Sequence, residues 1–179
     1  MKRCLIVVGL LACAGFLTSL DARGSKNNVA KETTVDMSAT KKVFLGWVDL
    51  PADQWNLWGY SSREDWAQVI QDLNQDFQSD CQARYLEGMV VKAAKDKNDT
   101  NAADNDLAIK FSDIHIDSKT YGISLSIHFV DPKTNTEIAV VPPHLYYERR
   151  VFRFQSYVRA ALEDVGKRIQ VETTGSSKR

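Results

Sequence analysis

Cysteine is scarce in this chain. Cys4, Cys13 and Cys81 are the whole supply, and two of them fall in an apolar N-terminal stretch. Once that stretch is set aside Cys81 stands alone, and no internal disulfide is available. Net charge is also missing, because 23 Lys and Arg balance 23 Asp and Glu. That balance leaves no basic footprint for nucleic acid and no cationic cluster for an anionic membrane surface. Proline is limited to Pro51, Pro132, Pro142 and Pro143, so the breaks it imposes are few and easily placed. No constellation of catalytic side chains stands out, and no cofactor is implied. What remains is 179 residues with 44% hydrophobic positions, enough for one well-buried domain and too few to expect two.

Residues 1–22 have a basic start at Lys2 and Arg3, an apolar run from Cys4 to Leu20, and small residues near Ala22. This is the form of a secretory signal peptide. Leu10-Leu11-Ala12-Cys13 has the pattern of a bacterial lipobox, which would lipidate Cys13 and provide a membrane tether. Ordinary cleavage after Ala22 is the competing route. Both routes export the chain, to a periplasm or an outer-membrane anchor. Residues 23–40 are rich in Lys, Ser, Asn and Thr without periodicity, and they read as a flexible tether.

From there to residue 170 the chain reads as a single α+β domain. Val43–Leu50 is apolar on both faces, which suits a central strand closed by Pro51. Trp55, Trp58 and Tyr60 follow in an aromatic loop, either a plug for the core or a ligand and partner contact. Ser62 begins a capping pattern, and Trp66, Val69, Ile70, Leu73, Phe77 and Cys81 make one stripe of a helix reaching about Ala83. On that stripe Cys81 reads as a packed thiol. Gly88 then releases the chain into a short strand at Met89–Val91, giving a parallel crossover of the right-handed kind.

The polar run Lys95–Asp106 holds Asp96, Asn98 and Thr100 at calcium-loop spacing. It lacks the central glycine and closing glutamate of such a loop, so a solvated hairpin loop is expected. Leu107, Ile109 and Phe111 alternate, but Ile114 and Ile116 have the opposite parity, which predicts a bulge near Ser112 and Asp113. Asp113, His115 and Asp117 then fall two apart on one face, a spacing that suits a metal or an acid-base pair as well as a solvated strand surface.

Tyr121, Ile123, Leu125, Ile127 and Phe129 alternate with Gly122, Ser124, Ser126 and His128, so this strand has one greasy face and one polar face. Asp131–Thr136 is turn chemistry, Glu137–Val141 the returning strand, and Pro142-Pro143 its expected end. Tyr157, Val158, Ala161, Leu162, Val165 and Ile169 mark a terminal helix whose apolar face begins at Phe154. A disordered tail over residues 171–179 is expected beyond it. Together these elements predict a mixed sheet of about five strands, a strand-helix-strand crossover followed by an antiparallel meander, with two helices packed on one face.

The element order, with the hairpin Ile127-His-Phe-Val-Asp-Pro-Lys-Thr-Asn-Thr-Glu-Ile138, resembles small α+β domains of Gram-negative envelope proteins. That group includes the amino-terminal domain of the TolB translocation protein, the curli-secretion lipoprotein and further lipoprotein families. Where the group carries glycine in the turn, this chain has Asn135, which tolerates the same left-handed backbone. The resemblance implies a periplasmic or outer-membrane-anchored protein. Three roles are then open. One is a non-enzymatic scaffold or partner-binding domain, monomeric or a small oligomer, using an edge strand, the face of Ser124, Ser126 and His128, or the aromatic loop. The second is a carrier of a small ligand at Trp55 and Trp58. The third is a metal-dependent hydrolase built on Asp113, His115 and Asp117.

Overall fold

The computed structural model describes residues 39–117, 122–146 and 154–174, with backbone alone at Leu57, Trp58 and Phe154. The leader, Cys13, nearly all of the tether, Tyr121 and residues 175–179 lie outside the described residues, as does the side chain of Trp58.

Five strands form one sheet: β1 (Lys42–Leu45), β2 (Val90–Ala93), β3 (Leu107–Ile116), β4 (Ile123–Asp131) and β5 (Thr136–Tyr146), in the order β2-β1-β3-β4-β5. β1 pairs in parallel with both β2 and β3, while β3, β4 and β5 form an antiparallel meander. Two helices, α1 (Arg63–Asp80) and α2 (Phe154–Thr174), complete the α+β fold.

One face of the sheet makes the main core. Val43, Leu45, Leu107, Ile109, Ile123, Leu125, Ile127 and Phe129 meet Trp66, Leu73 and Phe77 of α1 and Val158, Leu162, Val165 and Ile169 of α2. Both helices therefore lie on that face, because each presents a single apolar stripe that must be hidden. Ser62 caps α1 by accepting the Asp65 amide hydrogen at 3.1 Å, filling one of the vacancies every helix start leaves. Cys81 closes the stripe fully buried, and the helix passes there into a π turn, Cys81–Tyr85. Burial, with Asp80 beside it, pushes the Cys81 thiol far above its ordinary pKa, as expected of a packing residue rather than a nucleophile.

Several local expectations change. Strand pairing stops at Leu45, yet Val48 and Leu50 stay buried. Asn74 explains how: its Oδ1 accepts from the Val48 amide at 2.8 Å and its Nδ2 donates to the Val48 carbonyl at 3.0 Å, as a neighbouring strand would. The aromatic loop is a 3₁₀ turn over Ala52–Trp58, closed by Gly59 at φ 76°. The segment expected as a hairpin loop is a crossover instead. Since β2 and β3 flank β1 and run the same way, the chain between them must pass over the second face. There Ala94 and Ala102 cover Phe44, Ala108 and Val130.

Pro142 and Pro143 do not end their strand. β5 runs on to Tyr146, with a register shift between the pairs Ile127–Val141 and Leu125–His144 that takes up one extra residue. An edge strand tolerates proline because only one side needs ladder donors. The terminal helix continues through Thr174, with Glu172 and Thr173 buried, so the expected tail begins as helix.

A polar network beside an apolar edge

β5 is an edge of the sheet, and no described strand lies beyond it. Its exposed apolar side chains are Ile138, Val140 and Leu145, each about two-fifths accessible at 44%, 40% and 41%. Val140 sits opposite His128 and Leu145 opposite Ser124. Both therefore belong to the sheet face away from the helices, while Ile138 is the extra residue of a second register shift, between the pairs Phe129–Ala139 and Val130–Glu137. Pro142 and Pro143 divide the edge, leaving the segment from Thr136 to Val141, itself bulged at Ile138, ahead of them.

Beside this apolar row runs a polar one. The predicted bulge lies between Ser112 and His115, where the β3–β4 register shifts and Asp113 takes a left-handed φ of 52°. A bulge re-aims the side chain it carries. Asp113 Oδ2 accept hydrogen bonds from Ser112 Oγ and Ser126 Oγ, both at 2.8 Å. Ser112 Oγ also lies 2.7 Å from His128 Nε2, and His128 Nδ1 lies 2.6 Å from Glu137 Oε2. One chain of contacts thus joins β3, β4 and β5.

The string Ser112, His128, Glu137 has the order of a serine-hydrolase relay, but its proton count argues otherwise. A hydroxyl carries one hydrogen. If Ser112 gives it to Asp113, the hydroxyl can meet His128 Nε2 only as an acceptor and has no proton left for the ring to take. If Ser112 gives it to His128, Asp113 keeps only Ser126. The bonds from Ser112 and Ser126, with His128 nearby, hold the Asp113 carboxyl below the usual carboxylate range. Ser112 is best described as a bridge between imidazole and carboxylate, and the network as a cross-strand brace.

The sequence-derived site residues separate. Asp113 turns into this network, while His115 pairs across to Ser124. Among the described residues no group of three His, Cys, Asp or Glu side chains gathers to hold a metal. Asp96 Oδ1 accepts the amides of Asn98 and Asp99 at 2.7 and 3.1 Å, which is turn chemistry in place of calcium ligation. Trp55 and Tyr60 pack half-buried against the main core, with Tyr60 tilted over Trp66 at 5.2 Å between ring centroids. Of the three polar residues expected on the open face, Ser126 is 1% exposed and unable to meet a partner directly, whereas Ser124 and His128 are half-buried.

Ser112 and Glu137 were not legible as network members. Only the β3–β4 and β4–β5 registers bring them to His128. Asn74 had a signal, since it sits at stripe spacing between Ile70 and Phe77, where a polar side chain needs a buried partner. No protein-family model matches the chain and no curated protein matches it, so its role is read from these surfaces.

Proposed function

We propose that this protein is an exported cell-envelope domain that binds a protein partner without catalysing a reaction, taking an extended partner segment along β5. The observation that carries this reading is the row Ile138, Val140 and Leu145, exposed on an edge strand. Edge backbone supplies affinity in strand addition, and alternate side chains supply selection. The His128 brace stiffens the three strands behind that edge, so less order is lost on binding. Zero net charge argues against nucleic acid as the partner. The lipobox at Cys13, if processed, would tether the domain to a membrane, and a monomer or small oligomer leaves the edge free.

A photo-crosslinking amino acid placed at Val140, with a matched control at Glu64 on the exposed side of α1, tests it in envelope extracts. The Val140 probe should give a discrete adduct that the control lacks, and Ile138→Lys should abolish it while circular dichroism stays unchanged. Equal adducts from both positions, or adducts indifferent to Ile138→Lys, would discard the edge as the binding surface.

A further inference from the structure

The connection between β2 and β3 carries a feature that neither the edge nor the network uses. It passes over the second face of the sheet and is seated there by Ala94 and Ala102. Between those two anchors Lys95, Asp96, Lys97, Asn98, Thr100 and Asn101 are exposed. Taken from Asn98 onward, the residues with calcium-loop spacing spell Asn98-Asp99-Thr100. That is the acceptor pattern of N-linked glycosylation, an asparagine with a hydroxyl residue two places on and no proline between. No other asparagine of the chain has Ser or Thr at that place. Asp96 stands two residues before Asn98, where bacterial transferases of this kind favour an acid.

A three-residue pattern arises often by chance, so access decides whether this one can be used. Among the described residues the Asn98 side chain makes no hydrogen bond, and only its backbone amide is engaged, by Asp96 Oδ1 at 2.7 Å. The hydrogen bonds of residues 96–99 all close within the loop: Asp96 takes the amides of Asn98 and Asp99, and Asp99 takes those of Lys95 and Asn101. Drawing the segment into a transferase therefore breaks exposed local bonds that water replaces, and it leaves the sheet ladder whole. The two neighbouring asparagines do not qualify. Asn101 is followed by Ala102-Ala103, and Asn105 is buried with its Nδ2 donating to the Ala102 carbonyl at 3.2 Å.

We propose that Asn98 is the acceptor of an N-linked glycan, delivered from a lipid diphosphate-linked oligosaccharide by an oligosaccharyltransferase. In the transfer Asn98 Nδ2 gives up one proton and bonds to the anomeric carbon of the first sugar. The bond from that carbon to the lipid diphosphate breaks, and the diphosphate leaves with the electron pair. The assignment rests on the export reading, since donor and transferase meet exported chains. A glycan is bulky and solubilising. The connection that bears it spans β1, and β3 and β4 separate β1 from β5, so glycan and partner segment do not compete for the same edge.

Two measurements test it. The purified full chain, incubated with a bacterial oligosaccharyltransferase and a lipid diphosphate-linked oligosaccharide, should gain one glycan in intact mass, located by sequencing in the tryptic peptide Asn98–Lys110. Asn98→Gln and Thr100→Ala should each abolish the gain with circular dichroism unchanged, Thr100→Ser should retain it, and Asn101→Gln should leave it untouched. The mature chain recovered from the envelope of its native cells should carry a glycan on the same peptide. No transfer to the purified chain, transfer that survives Asn98→Gln, or a native chain bare at Asn98 would each overturn the assignment. Leader removal, read from the same intact mass, reports export separately: a cleaved chain bare at Asn98 discards the glycan and spares export, while an uncleaved bare chain discards both. The Val140 crosslink tests the β5 edge independently of either.

Discussion

Asn74 gives the sharpest test of how this fold is held. Its side chain is fully buried in α1 and replaces a missing strand partner for Val48. Replacing it with leucine keeps the volume and removes the polar atoms. The Val48 carbonyl still accepts from the Leu50 amide at 3.0 Å, so it is not orphaned. The Ile70 carbonyl loses a second donor at 3.0 Å but lies within helical structure. Among the described residues the Val48 amide has no other partner, and Val48 is fully buried. An orphaned buried donor costs about 1–3 kcal/mol, and the lost bond to the Val48 carbonyl adds roughly 0.5–1.5 kcal/mol. Asn74→Leu should therefore destabilise by about 2–4 kcal/mol. For a domain of this size that is a fall of roughly 6–16 °C in melting temperature, readable by calorimetry alongside urea denaturation. Asn74→Asp adds a sign test. One carboxylate oxygen can still accept from Val48, but the other faces two carbonyls, so burial raises the introduced group's pKa above its unfolded value. The charged form is then the unfavourable one, and this variant should gain stability as pH falls from 7 toward 5. A shift below about 0.5 kcal/mol for Asn74→Leu, the ordinary size for an inconsequential surface change, would refute the claim that this side chain anchors the segment leaving β1.

Gly166 in α2 lies under the Tyr85 ring, and a methyl there would sit 2.2 Å from a ring carbon. Helix propensity favours Gly166→Ala by about 1 kcal/mol, but forcing the buried ring aside costs about 1–3 kcal/mol; urea midpoints should show net destabilisation, and a midpoint above wild type would contradict this packing. Asp106 is held below the usual carboxylate range by the Lys41 and Lys42 amides, and Asp131 by the Lys133 amide and the Thr134 hydroxyl. Because their folded pKa values lie below the unfolded ones, the stability they supply is present above the unfolded carboxylate range and is lost as pH falls from there through the lowered folded values. Denaturation at pH 7 and pH 3 should show that loss, and Asp106→Asn with Asp131→Asn should narrow the gap; an unchanged gap would assign the acid sensitivity elsewhere.

Local chemistry made much of this architecture legible before any coordinate. The stripe from Trp66 to Cys81 has one way to hide itself, and so has the alternation from Ile123 to Phe129, which is why helix, strand and shared core face follow from residue order. The parity slip between Phe111 and Ile114 announced the bulge, since a strand cannot otherwise turn both inward. Four things depended on partners distant in sequence: the crossover between β2 and β3, the strand that continues through Pro142 and Pro143, the Asn74 clamp on Val48, and the chain of contacts from Glu137 to Asp113. Each needs a backbone or side chain brought alongside by strand register or by helix packing, and no local pattern encodes which group arrives. The sequence by itself determined which faces must be buried. Only the tertiary structure decided which polar groups meet, because hydrophobic burial is non-directional while a hydrogen bond requires one partner at one distance.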